Sequence, residues 1–178
     1  TLTILTLTLV LGWAGAARAT VTGQWDFNSS NLTATVGADL AYYGDTELYT
    51  TFTTAPIGGS NAVVMGFPAA TASQGYLMTH GIAPNGGGSY VNQYTLIMDI
   101  MFPADSSGKW RSLFQTSPAN ANDGDLFVNT ANGIGISGAY SGSILPDTWH
   151  RVAFVFDLTL PSARLRKYID GLEVGAQN

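Results

Sequence analysis

Apolar and polar residues alternate most regularly near the carboxyl end of the chain, over residues 149–157. Every second residue of this segment falls on one face of an extended chain, and that face carries His150, Val152, Phe154 and Phe156. A period of two with one apolar face is typical of a β-strand that packs one side against a core. The pattern therefore predicts a long strand with a buried face.

A second alternating run follows at residues 165–169 and ends in the dipeptide Asp170-Gly171. Asp-Gly between two apolar runs indicates a tight hairpin, because a type I′ turn requires positive φ angles at both central residues. Residues 172–174 then begin the returning strand. The carboxyl end of the chain is therefore predicted to form consecutive antiparallel strands.

The other apolar runs are short and are separated by glycine, proline and polar turn residues. They predict further strands at residues 24–27, 32–36, 46–54, 61–67, 75–79, 94–102, 111–116, 126–129 and 133–137. The most apolar of these runs is 94–102, which predicts a central strand with both faces largely covered. No segment shows a helical stripe of useful length, so the spacing favours an all-β antiparallel sandwich.

Two stretches also follow a recognisable order of residues. These are Trp-His-x-Val-Ala-x-Val-Phe-Asp at 149–157 and Tyr-Ile-Asp-Gly at 168–171. This order resembles the late strands of laminin-G-like domains, which belong to the concanavalin A-like jelly-roll superfamily. Residues 24–27 and 94–102 lie where that family has its first strand and a central strand. The resemblance covers the chain from roughly Val21 to the end.

The resemblance implies a jelly-roll β-sandwich formed by residues 20–178. In that family the last strands return to pair beside the first. The chain stops at Asn178, so it is expected to lack its last one or two strands and to leave an edge open. The resemblance is less specific for function, because the same fold hosts lectins, receptors, adhesins, hydrolases and structural spacers.

Length, charge and cysteine content narrow the possibilities further. The 178 residues fit a single domain with a core large enough to fold alone. The absence of cysteine excludes a disulfide framework and any thiolate metal site. A net charge of −5, with only seven lysines and arginines, argues against nucleic acid or an anionic membrane as the partner.

The amino-terminal segment has the features of a secretory signal peptide. Residues 2–13 are apolar apart from threonines, and Ala17-Arg18-Ala19 is similar to an A-x-A cleavage site. A membrane anchor is the alternative, but about 12 apolar residues fall short of the roughly 20 that a spanning helix needs. We therefore expect residues 1–19 to be a leader, clipped at its amino terminus. The mature chain is expected to be secreted, periplasmic or at the cell surface, without a membrane span.

Paired catalytic carboxylates are not evident in the sequence. The resemblance implies that hydrolases of this fold place them as Glu-x-Asp-x-x-Glu on one strand, but the two glutamates here, Glu47 and Glu173, are far apart. Asp99 is interpreted as a solvated or paired strand-face carboxylate. His150 is interpreted as a packing position and His80 as an exposed loop residue. The chain is therefore predicted not to be an enzyme.

One acidic loop is a candidate calcium site, which the resemblance also suggests at the rim of the fold. Within residues 120–125, Asn122, Asp123 and Asp125 supply side-chain oxygens around a glycine just before a predicted strand. Calcium takes six to eight oxygen ligands in flexible geometry, so such loops suit it. The alternative is a turn whose Asn and Asp side chains bond their own backbone.

Tyrosines in or near loops are candidate contacts for a sugar ring: Tyr42, Tyr43, Tyr90 and Tyr140. The alternative is that they cap the core with their hydroxyl groups in water. We expect an exported, non-catalytic binding or accessory module for carbohydrate or another cell-surface or matrix ligand. Calcium is the candidate cofactor. The alternatives are a glycoside hydrolase or lyase of the same fold, or a spacer attached to a catalytic domain.

Overall fold

A computed structural model describes residues 19–117 and 125–178. Within these residues the regular structure consists of antiparallel strands and two short 3₁₀ helices, at Thr46–Tyr49 and Ala104–Ser106. The prediction of an all-β chain with antiparallel sheets is therefore confirmed. The strands are β1 (Ala41–Tyr43), β2 (Thr51–Ile57), β3 (Ser60–Gly66), β4 (Gly75–Leu77), β5 (Gln93–Ile100), β6 (Arg111–Phe114), β7 (Leu126–Val128), β8 (Ile134–Ile136), β9 (Ala139–Ser141), β10 (His150–Asp157), β11 (Leu165–Ile169) and β12 (Leu172–Gln177).

The first sheet has the strand order β12-β11-β10-β5. β10 pairs with β11 so that Phe154 lies opposite Lys167, and it pairs with β5 so that Phe154 lies opposite Leu96. The turn between β11 and β12 has φ angles of 52° at Asp170 and 83° at Gly171. The predicted strand at 149–157 and the predicted Asp-Gly hairpin are both confirmed.

The second sheet has the strand order β6-β7-β8-β9. Its inward side chains and those of the first sheet form one buried cluster, which is why the two sheets pack as a sandwich. The fully buried members of this cluster come from both sheets and from the segment after β9: Leu126, Val128, Ile134, Ile144, Val152 and Phe154. The predicted strands at 126–129 and 133–137 are confirmed as β7 and β8, which pair with each other.

Two polar side chains join the sheets directly. The buried Nζ of Lys167 donates a hydrogen bond of 2.5 Å to the carbonyl oxygen of Ala139 in β9. The side-chain amide of Gln177 in β12 bonds both backbone groups of Ile136 in β8, at 3.2 Å and 3.1 Å. These bonds fix β12 and β11 against the edge of the second sheet.

The strand predicted at residues 94–102 is present as β5, but the prediction that it is a central strand with both faces covered is wrong. In the part of the chain that the structure describes, β5 lies at an edge of the first sheet and only one of its faces is covered. Ile97, on the other face, is 60% exposed. The prediction rested on the apolar character of the run, but an apolar side chain such as Ile97 can still face solvent, so apolar composition alone does not report burial.

The edge of β5 is occupied at its start by one side chain. Asn85 donates from its Nδ2 to the Gln93 carbonyl at 2.8 Å and accepts from the Gln93 backbone N–H at 2.7 Å. It also accepts from the backbone N–H of Asn92 at 2.9 Å. The amide of Asn85 thus provides the hydrogen bonds that a neighbouring strand would provide at this point.

The amino-terminal third was predicted less accurately. Residues 24–27 and 32–36 do not form strands but meet in one bridge between Gln24 and Val36. The predicted strand at 46–54 begins instead with a 3₁₀ helix, because the Thr46 hydroxyl donates to the Tyr43 carbonyl and accepts from the Gly75 N–H. β2 and β3 then form a separate hairpin, as β1 and β4 form a separate pair.

The predicted leader, residues 1–19, lies outside the described residues except for Ala19. In residues 19–117 and 125–178, no helix has the length and apolar character that crossing a membrane would require.

Candidate functional site

Three aromatic side chains meet at the second sheet, and we call them the aromatic cluster: Trp110, Phe127 and Tyr140. The ring of Trp110 lies 5.9 Å from that of Phe127 and 5.3 Å from that of Tyr140, at nearly perpendicular angles of 87° and 71°. Trp110 directly precedes β6, Phe127 lies in β7 and Tyr140 lies in β9. The cluster therefore spans the whole width of the sheet.

Trp110 is the exposed member of the aromatic cluster. It is 58% exposed, whereas Phe127 and Tyr140 are half-buried. Edge contacts with two other rings hold the indole in place while more than half of its surface faces water. A fixed, exposed indole offers a flat apolar surface together with one N–H donor.

The other predicted ligand-binding tyrosines do not join this cluster. Tyr42 and Tyr43 lie in β1 and are half-buried, and the ring of Tyr42 lies 6.0 Å from that of Tyr76. Tyr76 in turn bonds the Thr50 hydroxyl at 2.7 Å. Tyr90 is 78% exposed in the segment between β4 and β5. Of the four predicted tyrosines, Tyr140 alone belongs to the aromatic cluster.

Sequence reasoning missed Trp110 and Phe127 as site residues. Trp110 and Ser112 have the same parity in the strand pattern, and Ser112 lies opposite Phe127 in the register of β6 and β7. The alternation of residues 110–112 could therefore have placed Trp110 on the outer face of the sheet. The contact with Tyr140 depends on the strand order, which the sequence did not provide.

A shallow pocket of about 280 Å³ forms a second candidate site. It is lined by Trp149, Asp99 and Arg151 and by the tip of the β2–β3 hairpin at Ile57 and Gly58. The interpretation of Asp99 as a paired strand-face carboxylate is confirmed, because Arg151 donates to both of its oxygens at 2.7 Å and 2.6 Å. This pairing raises the pKa of Arg151.

His150 is buried, as predicted, and both of its ring nitrogens have partners. Its Nδ1 lies 2.7 Å from an oxygen of Asp170, and its Nε2 accepts from the Leu145 backbone N–H at 3.0 Å. Since Nε2 is an acceptor, Nδ1 carries the proton. The bonds from His150 and from the Arg151 backbone lower the pKa of Asp170. These bonds connect His150 to the turn at Asp170 and to the backbone at Leu145. Both ring nitrogens are therefore engaged, and neither is available to a substrate.

The remaining candidate chemistry is dispersed. His80 is an exposed loop residue, and its Nδ1 accepts from the Ile82 N–H at 3.0 Å. Glu173 bonds the Tyr168 hydroxyl at 3.0 Å, while Glu47 lies in the first 3₁₀ helix. Among the described residues, no three His, Asp or Glu side chains converge in a way that could hold a metal ion.

The predicted calcium loop is only partly described. Asn122 and Asp123 lie outside the described residues. Asp125 directly precedes β7 and accepts a bond of 3.4 Å from the side chain of Gln115. Calcium binding at this loop stays a prediction.

No family model matches the sequence, and the searches of curated proteins and solved structures also found no match. The resemblance to laminin-G-like domains therefore stays an expectation based on residues 149–157 and 168–171.

Proposed function

We propose that this chain is an exported, non-catalytic binding module of the laminin-G-like, jelly-roll type, and that its ligand is carbohydrate. The observation that carries the proposal is the exposed indole of Trp110, held by Phe127 and Tyr140 on the second sheet. The C–H face of a sugar ring packs well on such a flat apolar surface. Because the indole is already held by two rings, binding costs little side-chain entropy.

The surroundings of the indole suit a neutral, hydroxyl-rich ligand. The Tyr140 hydroxyl can donate or accept, and the Trp110 N–H can donate. Lys109 directly precedes Trp110 and Ser112 follows it by two residues, and both add polar groups. An apolar ring with polar groups at its margin is what a sugar requires, since its own surface alternates between C–H and hydroxyl groups.

The non-catalytic part of the proposal rests on the dispersed carboxylates. Asp99 is neutralised by Arg151, and Glu173 is engaged by Tyr168. Within residues 19–117 and 125–178, neither forms a hydrogen bond with a second carboxylate, whereas a retaining hydrolase requires two carboxylates close together. Export rests on the leader-like residues 1–19.

A glycan array probed with the mature protein, followed by calorimetry on the best ligand, tests the proposal. Trp110→Ala should weaken binding about tenfold or more, because it removes the central contact. Trp110→Phe should weaken it less, since a smaller ring still stacks. The melting temperature checks that both variants fold.

Tyr90→Ala is the matched control, because it removes an even more exposed aromatic ring that lies outside the cluster. Unchanged affinity in Tyr90→Ala supports the aromatic cluster as the site. Equal losses in both variants, or a folded wild-type protein that binds no glycan, would contradict the proposal.

Calcium is proposed to assist through the acidic loop. Added calcium should raise the melting temperature of the wild-type protein, since a ligand that binds only the folded state stabilises it. Replacing both Asp123 and Asp125 by Ala should abolish that rise. A rise that persists in the double variant would exclude this loop as the calcium site.

A further inference from the structure

The shallow pocket of about 280 Å³ beside Trp149, which we call the Trp149 pocket, lies between two parts of the fold. Its floor is the outer face of the first sheet, where Trp149 and Arg151 are two residues apart and Asp99 lies opposite Arg151 in the register of β5 and β10. Its other wall is the tip of the β2–β3 hairpin at Ile57 and Gly58, and within the described residues this hairpin is a sheet of its own. The pocket therefore has walls from two separate elements.

The side chains of the Trp149 pocket are accessible to solvent and do not belong to the core. The side chain of Arg151 is 67% exposed and that of Asp99 is 39% exposed. Trp149 and Ile57 are half-buried, and Gly58 is exposed. A ligand can therefore reach the polar pair and the apolar groups together without displacing any core residue.

Asp99 and Arg151 are held in one orientation by two parallel hydrogen bonds. The Nε of Arg151 donates to one oxygen of Asp99 at 2.7 Å, and its Nη2 donates to the other oxygen at 2.6 Å. Such a fork fixes both side chains before any ligand arrives. Each carboxylate oxygen can accept a further hydrogen bond, and the guanidinium has further N–H groups. The pair can therefore both accept from a ligand and donate to it.

The charges of the Trp149 pocket favour a neutral ligand, because Asp99 and Arg151 compensate each other. An acceptor beside a donor matches two neighbouring hydroxyl groups of a sugar, one of which donates to the carboxylate while the other accepts from the guanidinium. Trp149 and Ile57 supply apolar surface for the C–H groups of the ring. Ligand pockets have volumes of about 300 Å³ or more, so a pocket of this size fits a single sugar ring.

We propose that the Trp149 pocket is a second carbohydrate site, which holds one neutral sugar ring by two adjacent hydroxyl groups. Asp99 accepts from one hydroxyl, Arg151 donates to the other, and the ring packs against Trp149. This second site rests on the proposed function for its ligand class, but it shares no residue with the aromatic cluster. The two sites lie on different sheets, so one molecule can bind two sugar chains at once.

Nuclear magnetic resonance of the ¹⁵N-labelled mature protein tests this site, because each indole N–H gives a signal of its own. Trp149→Phe and Trp110→Phe assign two of these signals by their loss. The probes are the methyl glycosides of glucose, galactose and mannose, and the comparison compound is 2-(hydroxymethyl)tetrahydropyran, which retains the ring but lacks adjacent hydroxyl groups. At least one glycoside should shift the Trp149 signal saturably. The comparison compound should bind about tenfold more weakly or less, because it cannot form both hydrogen bonds to the charged pair.

Asp99→Asn tests the polar pair with little change of shape. It should weaken glycoside binding at the Trp149 signal about fivefold or more, because a charged acceptor is lost and Arg151 loses its fork partner. Glu173→Gln is the matched control, since it makes the same change in the carboxylate that pairs with Arg166 at 3.8 Å, on the same sheet but outside the pocket. The melting temperature checks that both variants fold.

A saturable shift that weakens in Asp99→Asn and is unchanged in Glu173→Gln supports the second site. The proposal is overturned if no glycoside moves the Trp149 signal, if the comparison compound binds as tightly as the glycosides, or if the two variants lose the same affinity. The Trp110 signal reports separately on the aromatic cluster. A shift of the Trp110 signal alone contradicts only the second site, whereas a shift of the Trp149 signal alone contradicts only the aromatic cluster.

Discussion

Lys167 is only 1% exposed, and its ammonium group donates a hydrogen bond to the Ala139 carbonyl oxygen. Burial lowers the pKa of Lys167, because the charged form loses its hydration. Glycines make room for the side chain. A Cβ at Gly135 would lie 3.1 Å from Nζ, and one at Gly175 would lie 3.7 Å from Cε. The methylene stem of Lys167 therefore packs as an apolar chain, while burying its positive charge destabilises the folded state.

Lys167→Met should separate these two contributions. Methionine retains the volume of the stem and removes the buried charge. The free energy of unfolding of Lys167→Met should therefore be equal to or above that of the wild type, or at most about 1.5 kcal/mol below it. Lys167→Ala should lower it by about 2–4 kcal/mol, because a cavity forms. Urea denaturation at neutral pH measures both. A Met variant as unstable as the Ala variant would show that the bond to Ala139 dominates.

The pH dependence of stability gives a second test of Lys167. Its pKa in the folded chain lies below the usual 10.5, so the unfolded chain binds more protons between these two values. The contribution of Lys167 to the free energy of unfolding therefore rises with pH across that interval. The free energy of unfolding of the wild type minus that of Lys167→Met should rise with pH in the same way. Tyr94 titrates in both proteins and cancels in the comparison. A difference independent of pH would contradict the lowered pKa.

At the scale of elements, the turn at Asp170-Gly171 joins three parts of the fold. Asp170 bonds His150 and the Arg151 N–H, and its own N–H donates to the Arg151 carbonyl at 2.8 Å. The positive φ of 52° at Asp170 suits Asp or Asn, which visit the left-handed region more readily than other residues. The side chain of Asp170 thus ties the β11–β12 turn to the start of β10.

Asp170→Asn retains the turn conformation and removes the charge, so it weakens the bonds that the carboxylate makes with His150 and with the Arg151 N–H. We expect a loss of about 1–2 kcal/mol at neutral pH. The pKa of Asp170 is lowered in the folded state from its usual 3.8, so its stabilisation is present above the unfolded pKa and is lost as pH falls through the folded pKa. Thermal unfolding from pH 7 to pH 2 should show the two proteins converge in acid. A gap of constant size would indicate that the charge is not involved.

The elements predicted well are those whose partners are near in sequence. β10, β11 and β12 follow from a clean alternation and one Asp-Gly turn. The 3₁₀ helix at Thr46–Tyr49 was missed because the Thr46 hydroxyl bonds Gly75, 29 residues away. The contact between Tyr140 and Trp110 was missed for the same reason, although Tyr140 itself was identified as a candidate. That contact requires the order of β6 to β9, which local patterns do not contain.

At the scale of the whole molecule, the two sheets share one core and two polar links, Lys167 to Ala139 and Gln177 to Ile136. The aromatic cluster spans the second sheet, and these two links hold β11 and β12 of the first sheet against that same sheet.

The exposed edge of β5 bears on how the molecule behaves at high concentration. An unprotected strand edge pairs with the edge of another chain and starts aggregation. Asn85 occupies the beginning of this edge through its bonds to Gln93. Asn85→Ala should therefore shorten the lag before fibril formation, measured by thioflavin fluorescence, whereas Asn61→Ala in β3 should not. Equal lag times would argue against this role. If the lag is shorter in Asn85→Ala alone, the amide of Asn85 is the group that prevents the β5 edge from pairing with a strand of another molecule.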